Sequence, residues 1–203
     1  MKNEIKNFSS FGVMVDCSRN AVMTVAELKK FITLISRMGY NQVQLYMEDT
    51  YEVDGEPFFG YLRGKYSKEE LRELDDFAYD LGVELVPNVQ TLAHMATFIR
   101  WRANLKDIDD ILLVDDERVY DLIDRAVKSL RECFRTKKLH IGMDEAHNLG
   151  RGRYLDSHGL QNRFDIILGH LSRVCDIAAK YDFEPMMWSD MFYRIANGGK
   201  YYA

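Results

Sequence analysis

The sequence predicts an α/β fold of the (β/α)8, TIM-barrel type, with about the first five β-strands and four helices of such a barrel present. Three observations lead there. Short apolar runs alternate with stretches of helical periodicity, the pattern of parallel strands joined by helical crossovers. No glycine-rich phosphate loop follows the first run, where a doubly wound dinucleotide-binding sheet would need one. Polar or aromatic residues follow the end of all five runs, which is where a barrel assembles its site.

The first run, Phe11–Val15 (FGVMV), is continuous and apolar and ends in Asp16, so it reads as a buried strand. Leu28, Phe31, Ile32 and Ile35 then recur at helical spacing, opened by Thr24 and Glu27 in capping-box spacing and closed by Gly39. Gln42–Met47 (QVQLYM) is the second strand. Leu71, Leu74, Phe77, Ala78 and Leu81 make the second helix, between the Ser67/Glu70 cap and Gly82. Val83–Val86 (VELV) is the third strand, followed by a helix through Val119, Leu122, Ile123, Ala126, Val127 and Leu130. Leu139–Gly142 (LHIG) is the fourth strand, and Ile167, Leu171, Val174, Ile177, Ala178 and Tyr181 form the fourth helix before the fifth strand, Pro185–Trp188 (PMMW). Strand starts near residues 11, 42, 83, 139 and 185 lie about 43 residues apart, so eight units require roughly 350 residues. The 203 residues therefore read as a single, partial barrel domain, residues 1–203.

Charge and composition narrow the function. A formal charge of −5 without a long Lys/Arg block argues against nucleic acid as a partner, since binding the phosphate backbone needs clustered positive charge. No apolar stretch reaches the roughly 18–20 residues of a membrane span, and Met1–Ser10 lacks the apolar run of a signal peptide, so a cytoplasmic protein is expected. Cys17, Cys133 and Cys175 are odd in number and widely spaced, as for reduced, buried thiols rather than a disulfide framework or zinc site. No cofactor is implied, and oligomeric state is not legible.

The segment richest in chemistry is Leu139–His147, LHIGMDEAH, in which a strand runs into Asp144 and Glu145. Adjacent residues of an extended strand point to opposite sides, so both carboxylates can face one pocket only where the backbone breaks into a loop, and Gly142 allows the break. Two such carboxylates can divide the labour, one keeping a proton as an acid and the other staying ionised. The other strand ends supply Arg19, suited to forked hydrogen bonds; Glu48 and Asp49; Thr91 and His94; and Trp188 with Asp190.

In this setting HIGMDE closely resembles the His-x-Gly-Gly-Asp-Glu signature of glycoside hydrolase family 20, the β-N-acetylhexosaminidases, and the similarity runs in order from about Gly12 to Asp190. Arg19 in VDCSRN matches the family's sugar-gripping Arg, Asp49 in LYMED its second-strand Asp, His94 in LAH its Pro-Gly-His, and Trp188-Ser189-Asp190 its Trp-x-Asp. The segments YMEDTYEVDGEPFFGYLRGKYS and VPNVQTLAH resemble most a bacterial, intracellular-type branch. Met143 stands where the second Gly is usual and Ala93 replaces the Gly before His94; neither change removes a functional side chain, and both bear on linkage preference.

The resemblance implies exo-cleavage of terminal β-linked GlcNAc or GalNAc from a carbohydrate by a substrate-assisted, retaining mechanism, in which the sugar's 2-acetamido oxygen is the nucleophile. Glu145 is then the acid/base and Asp144 orients the acetamido group. His94 and Asp49 support Glu145, while Arg19, His140, Trp188 and Asp190 bind substrate. Two other readings stand beside it. One takes His94, His140, Asp144 and His147 as ligands of a metal-dependent barrel hydrolase, although no H-x-H follows the first strand. The other is a non-catalytic fragment, because the family's later strands supply aromatics and a Tyr that this chain does not match; only Phe192-Tyr193 and Gly198–Tyr202 follow Asp190.

Overall fold

The computed structural model describes residues 8–193. The stretch Met1–Asn7, read above for a signal peptide, and the Gly198–Tyr202 tail lie outside them.

Five parallel strands, β1 (Gly12–Asp16), β2 (Gln42–Glu48), β3 (Glu84–Val89), β4 (Lys138–His140) and β5 (Glu184–Met186), form one sheet in the order β1-β2-β3-β4-β5. Every strand pairs with its sequence neighbour, so the sheet grows in one direction without the reversal that defines a doubly wound fold. This is barrel topology. The four long helices are α1 (Val25–Arg37), α2 (Lys68–Asp80), α4 (Glu117–Arg131) and α6 (Arg163–Lys180). Three short ones, α3 (Ala96–Ile99), α5 (Arg153–His158) and α7 (Asp190–Tyr193), lie in or after the loops at the carboxyl ends of strands, and none has a sequence period long enough to read. Among the described residues no helix is long and apolar enough to cross a membrane.

The helix ends follow local chemistry. Ser67 and Glu70 cap α2 reciprocally, whereas Thr24 caps α1 by accepting from the Glu27 N–H. Past α1, Gly39 (φ 90°) and Tyr40 return their N–H groups to Ser36 and Ile35; past α2, Gly82 (φ 68°) and Val83 return theirs to Tyr79 and Ala78. Asp182 (φ 57°) and Phe183 close α6 in the same way, a stop that its lack of glycine hides in the sequence.

The two faces of the sheet differ. Val43, Leu45, Met47, Leu85, Val89, Leu139 and Ile141 are buried with Leu28, Ile32, Leu71, Leu74, Val119, Val127, Val174 and Ala178 of the helices. The alternate positions carry amides and charges joined to one another. Gln42 Nε2 donates to Glu84 Oε2 at 2.9 Å, Asn88 Nδ2 to Gln44 Oε1 at 3.4 Å, and Lys138 Nζ to Glu84 Oε2 at 2.6 Å. β2 and β3 are thus buried as expected, with a hydrogen-bonded polar inner face. β5 departs from the expected buried strand: Glu184 and Pro185 are exposed, because among the described residues this strand has a neighbour on one side only, and an edge tolerates proline.

His170 of α6 ties that helix to the sheet. It is fully buried, with Nδ1 3.1 Å from Tyr120 Oη and Nε2 2.9 Å from the Thr91 carbonyl. Burial pushes its pKa down to about 4. A histidine kept neutral in the fold but protonated when unfolded contributes stability above its unfolded pKa, near 6.5, that drains away as pH falls towards 4, at up to about 1.4 kcal/mol per pH unit. Urea midpoints at pH 7 and pH 5 are expected to differ markedly in the wild type. His170→Leu should be less stable at pH 7 but lose less on acidification; an equal loss in both proteins would locate the acid sensitivity elsewhere.

Candidate active site

The site is built where the strands end, and the backbone there is strained in a consistent way. Glu48 (φ 47°), His94 (φ 57°), Met143 (φ 78°) and Glu145 (φ 54°) all take the left-handed conformation that non-glycine residues avoid, and Gly142 (φ 75°) joins them. The break foreseen at Gly142 therefore extends through three residues around Asp144. It lets both carboxylates reach one imidazole: His94 Nε2 lies 3.3 Å from Asp144 Oδ2 and 3.6 Å from Glu145 Oε2. Met143, at the unusual position of the signature, is fully buried.

Asp144 is held on its other oxygen by Gln90 Nε2 at 2.8 Å. Burial alone would push the Asp144 carboxyl up, but the nearby His94 ring and the Gln90 N–H outweigh it and hold the pKa below the ordinary aspartate value. The Asp144 carboxylate, 3.3 Å away, in turn raises His94 above the usual histidine range, against burial. Glu145 is anchored through its backbone, whose N–H donates to Asp190 Oδ2 at 3.1 Å, while its side chain remains 62% exposed. Glu145 thus stands open to solvent, whereas the Asp144 side chain, 19% exposed, is largely enclosed.

His140 does not point at the carboxylates. Its Nδ1 accepts from the Gly142 N–H at 3.2 Å and its ring packs on Trp188, centroids 4.6 Å apart. Burial lowers its pKa to about 4. The Trp188 N–H donates to the Gly142 carbonyl at 3.0 Å, so Trp188, His140 and the Asp144 loop form one wall. The ligand set His94, His140, Asp144 and His147 does not converge; among the described residues no group of three or more His, Cys, Asp or Glu side chains is arranged to hold a metal ion.

Arg19 is exposed, with Nε 2.6 Å from Asp16 Oδ2 and its guanidinium 4.9 Å from the Tyr46 ring centre, where it can still turn to a ligand. Asp49 is buried and lies apart from His94. Its Oδ2 accepts from Thr97 Oγ1 at 3.0 Å and its Oδ1 is 3.3 Å from Arg63 Nε, while the His94 backbone N–H donates to Asp110 instead. Asp49, expected with His94 to support Glu145, is instead engaged with Arg63, which arrives from the long loop between β2 and α2.

Sequence reading missed Arg63, Gln90, Tyr46 and Ser18. Arg63 donates to the Ser18 carbonyl and hydroxyl; Ser18 Oγ and Tyr46 Oη donate to Glu48, the latter at 3.0 Å; and Gln90 Nε2 donates to Tyr46 Oη at 3.2 Å. The signal for Tyr46 and Gln90 was present: each falls in phase with the polar residues that alternate along its strand. A cavity of about 410 Å³ lies at the opposite end of the sheet, lined by Asn41, Asp75, Glu84 and Arg135 among others. Its Arg135 is already paired with Asp75 and Asp76, so volume alone does not mark the site.

Comparison with known proteins agrees with this fold. Hexosaminidase D of Bos taurus is 24% identical over 184 residues, covering 85% of this chain and 53% of that protein; Hexosaminidase D of Homo sapiens is 27% identical over 188 residues, covering 85% and 38%. The chain thus spans about half, or less, of the curated relatives it matches. Among solved structures, an N-acetyl-β-hexosaminidase of Streptomyces plicatus superposes with a TM-score of 0.77 at 24% identity, over 91% of this chain and 40% of that one. An exo-β-N-acetylglucosaminidase of Vibrio harveyi, in complex with N-acetylglucosamine, gives 0.79 at 18%, over 90% and 35%. These likenesses establish the shared barrel fold. Residues 8–200 match the model of the glycosyl hydrolase family 20 catalytic domain, nearly the whole sequence, and the chain belongs to that family.

Proposed function

We propose that the chain acts on carbohydrates ending in a β-linked N-acetylhexosamine and removes that sugar by substrate-assisted hydrolysis. The observation that carries the reading is the asymmetry of the two carboxylates beside His94: Asp144 is enclosed and held by Gln90, whereas Glu145 is exposed. In this reading Glu145 gives its proton to the glycosidic oxygen as the bond to the anomeric carbon breaks. The acetamido oxygen forms the new bond there, giving an oxazolinium ion. Asp144 accepts the acetamido N–H, aligning the nucleophile and offsetting the positive charge that develops. Water then adds to the anomeric carbon, losing its proton to Glu145, and the ring opens with retention. Arg19 reaches the sugar's hydroxyls from the β1 end, and Trp188 walls the acetamido group. The three free thiols, Cys17, Cys133 and Cys175, support action in a reducing compartment such as the cytoplasm.

The test compares two aryl glycosides with the 203-residue chain. Nitrophenol release from the N-acetyl-β-glucosaminide is expected, and the β-glucoside, which lacks the acetamido nucleophile, should react at least about 10³-fold more slowly. Equal rates would overturn substrate assistance. A second reading, sugar binding without turnover, is favoured by the 62% exposure of the Glu145 side chain, since an acid so open to water loses the electrostatic advantage of an enclosed site. Calorimetric binding of N-acetylglucosamine without release of nitrophenol would select it.

A further inference from the structure

Gln90 sits where β3 runs into the His94 loop, 4% exposed, and its amide is oriented by its neighbours rather than by choice of the amide flip. Tyr46 Oη gives its proton to Glu48 Oε1, an acceptor, so Tyr46 can only accept from Gln90. Asp144, ionised, can also only accept. Both contacts therefore need the N–H side of the amide, and Nε2 supplies its two protons to them at 3.2 and 2.8 Å. The cost falls on the other atom. Gln90 Oε1 is buried without a hydrogen-bond partner and faces Gly142, where a Cβ would come within 2.0 Å of it. A buried acceptor left unpaired costs about 1–3 kcal/mol, so the arrangement is not the one that stability alone selects.

We infer that Gln90 is the positioning residue of this site: its side-chain amide fixes the rotamer of Asp144, a lone pair on each oxygen remaining for the acetamido N–H. The inference rests on the function proposed above. A neutral amide is the side chain that does this, because the surroundings are already rich in acid. His94, beyond β3, lies 3.3 Å from Asp144; Tyr46 of β2 and His140 of β4 are near it, and Glu145 of its own loop shares the His94 ring, with Asp190 of α7 beside Glu145. Behind Tyr46 stand Glu48, 3.7 Å from the Arg63 guanidinium, and Arg19, over the Tyr46 ring. Arg63 is engaged with Glu48 and Asp49 and Arg19 with Asp16, so among the described residues His94 is the basic group in contact with Asp144. A carboxylate in place of the Gln90 amide would set two like charges on one proton, which raises the apparent pKa of the pair.

Gln90→Glu, close to isosteric, tests this. The acid limb of kcat/KM for the aryl N-acetyl-β-glucosaminide is expected to move up by at least one pH unit, and the 13C carboxyl titration of Asp144, assigned with Asp144→Asn, should move with it. Gln90→Leu, which removes the donor without adding charge, should shift both by less. A residue that merely fills space would lower kcat/KM equally at every pH. Should neither the limb nor the carboxyl titration move in a folded Gln90→Glu protein, the inference is overturned. If that variant fails to fold, Gln90→Leu decides: an Asp144 carboxyl titration moved up from wild type supports the role, and one left unmoved refutes it. Absence of wild-type turnover would sink the hydrolase reading alone, because the carboxyl titration still reports on Gln90.

Discussion

Glu145→Gln is expected to lower kcat/KM for an aryl N-acetyl-β-glucosaminide by about 10²- to 10⁴-fold, the range for losing a general acid and base. That corresponds to about 3–5 kcal/mol of barrier. The side chain is 62% exposed and, among the described residues, makes only a 3.6 Å contact with His94, so folding stability should change by no more than about 0.5 kcal/mol. Loss of activity without loss of fold is the signature. The size of the loss should depend on the leaving group: an alkyl glycoside, whose oxygen needs the proton, should suffer most, and a dinitrophenyl glycoside least. A variant as active as the wild type would remove Glu145 from the chemistry. Asp144→Asn should behave differently, because it acts on the nucleophile and its effect should not depend on the leaving group.

Gly142→Ala is the second large effect, and it is one of folding. At φ 75° an added Cβ costs about 1–2 kcal/mol from its own backbone. It would also stand 2.0 Å from Gln90 Oε1 and 2.8 Å from the Val89 carbonyl, and the second of these cannot rotate away. With overpacking at about 1–3 kcal/mol, the expected destabilisation is roughly 2–5 kcal/mol. Gly39→Ala is the control. Gly39 has a similar φ, 90°, but nothing lies within 4 Å of its would-be Cβ, so only the backbone term of about 1–2 kcal/mol applies. Urea midpoints that fall equally in the two variants would show that the Gln90 contact carries no strain.

The barrel topology was legible because its signals are local. Ser67 with Glu70 and the glycines 39 and 82 mark helix ends within a few residues of themselves, and the apolar runs name the strands. The site was legible only in part. Asp144, Glu145 and His94 lie at strand ends, where position itself implies convergence. Arg63 does not: it comes from the middle of an irregular loop, and only its contacts with Ser18 and Asp49, distant in sequence, give it meaning. For the same reason the Arg63 partner of Asp49 was hidden, since a strand end shows where a side chain starts and not which loop will fold over it. The depressed pKa of His140 was equally hidden, because it follows from burial against Trp188.

The polar inner face of the sheet bears on how reliably the chain finds its pairing. Parallel strands of Val, Ile and Leu on both faces can slide past one another at little cost. Here a one-residue slip of β2 would turn Gln42, Gln44, Tyr46 and Glu48 into the helix layer and strand Val43, Leu45 and Met47 among amides. Each wrongly buried amide would cost about 1–3 kcal/mol. A shifted sheet is thus penalised several times over before any catalytic group is in place, and the alignment of Tyr46 with Gln90 and Asp144 is inherited from that proofreading.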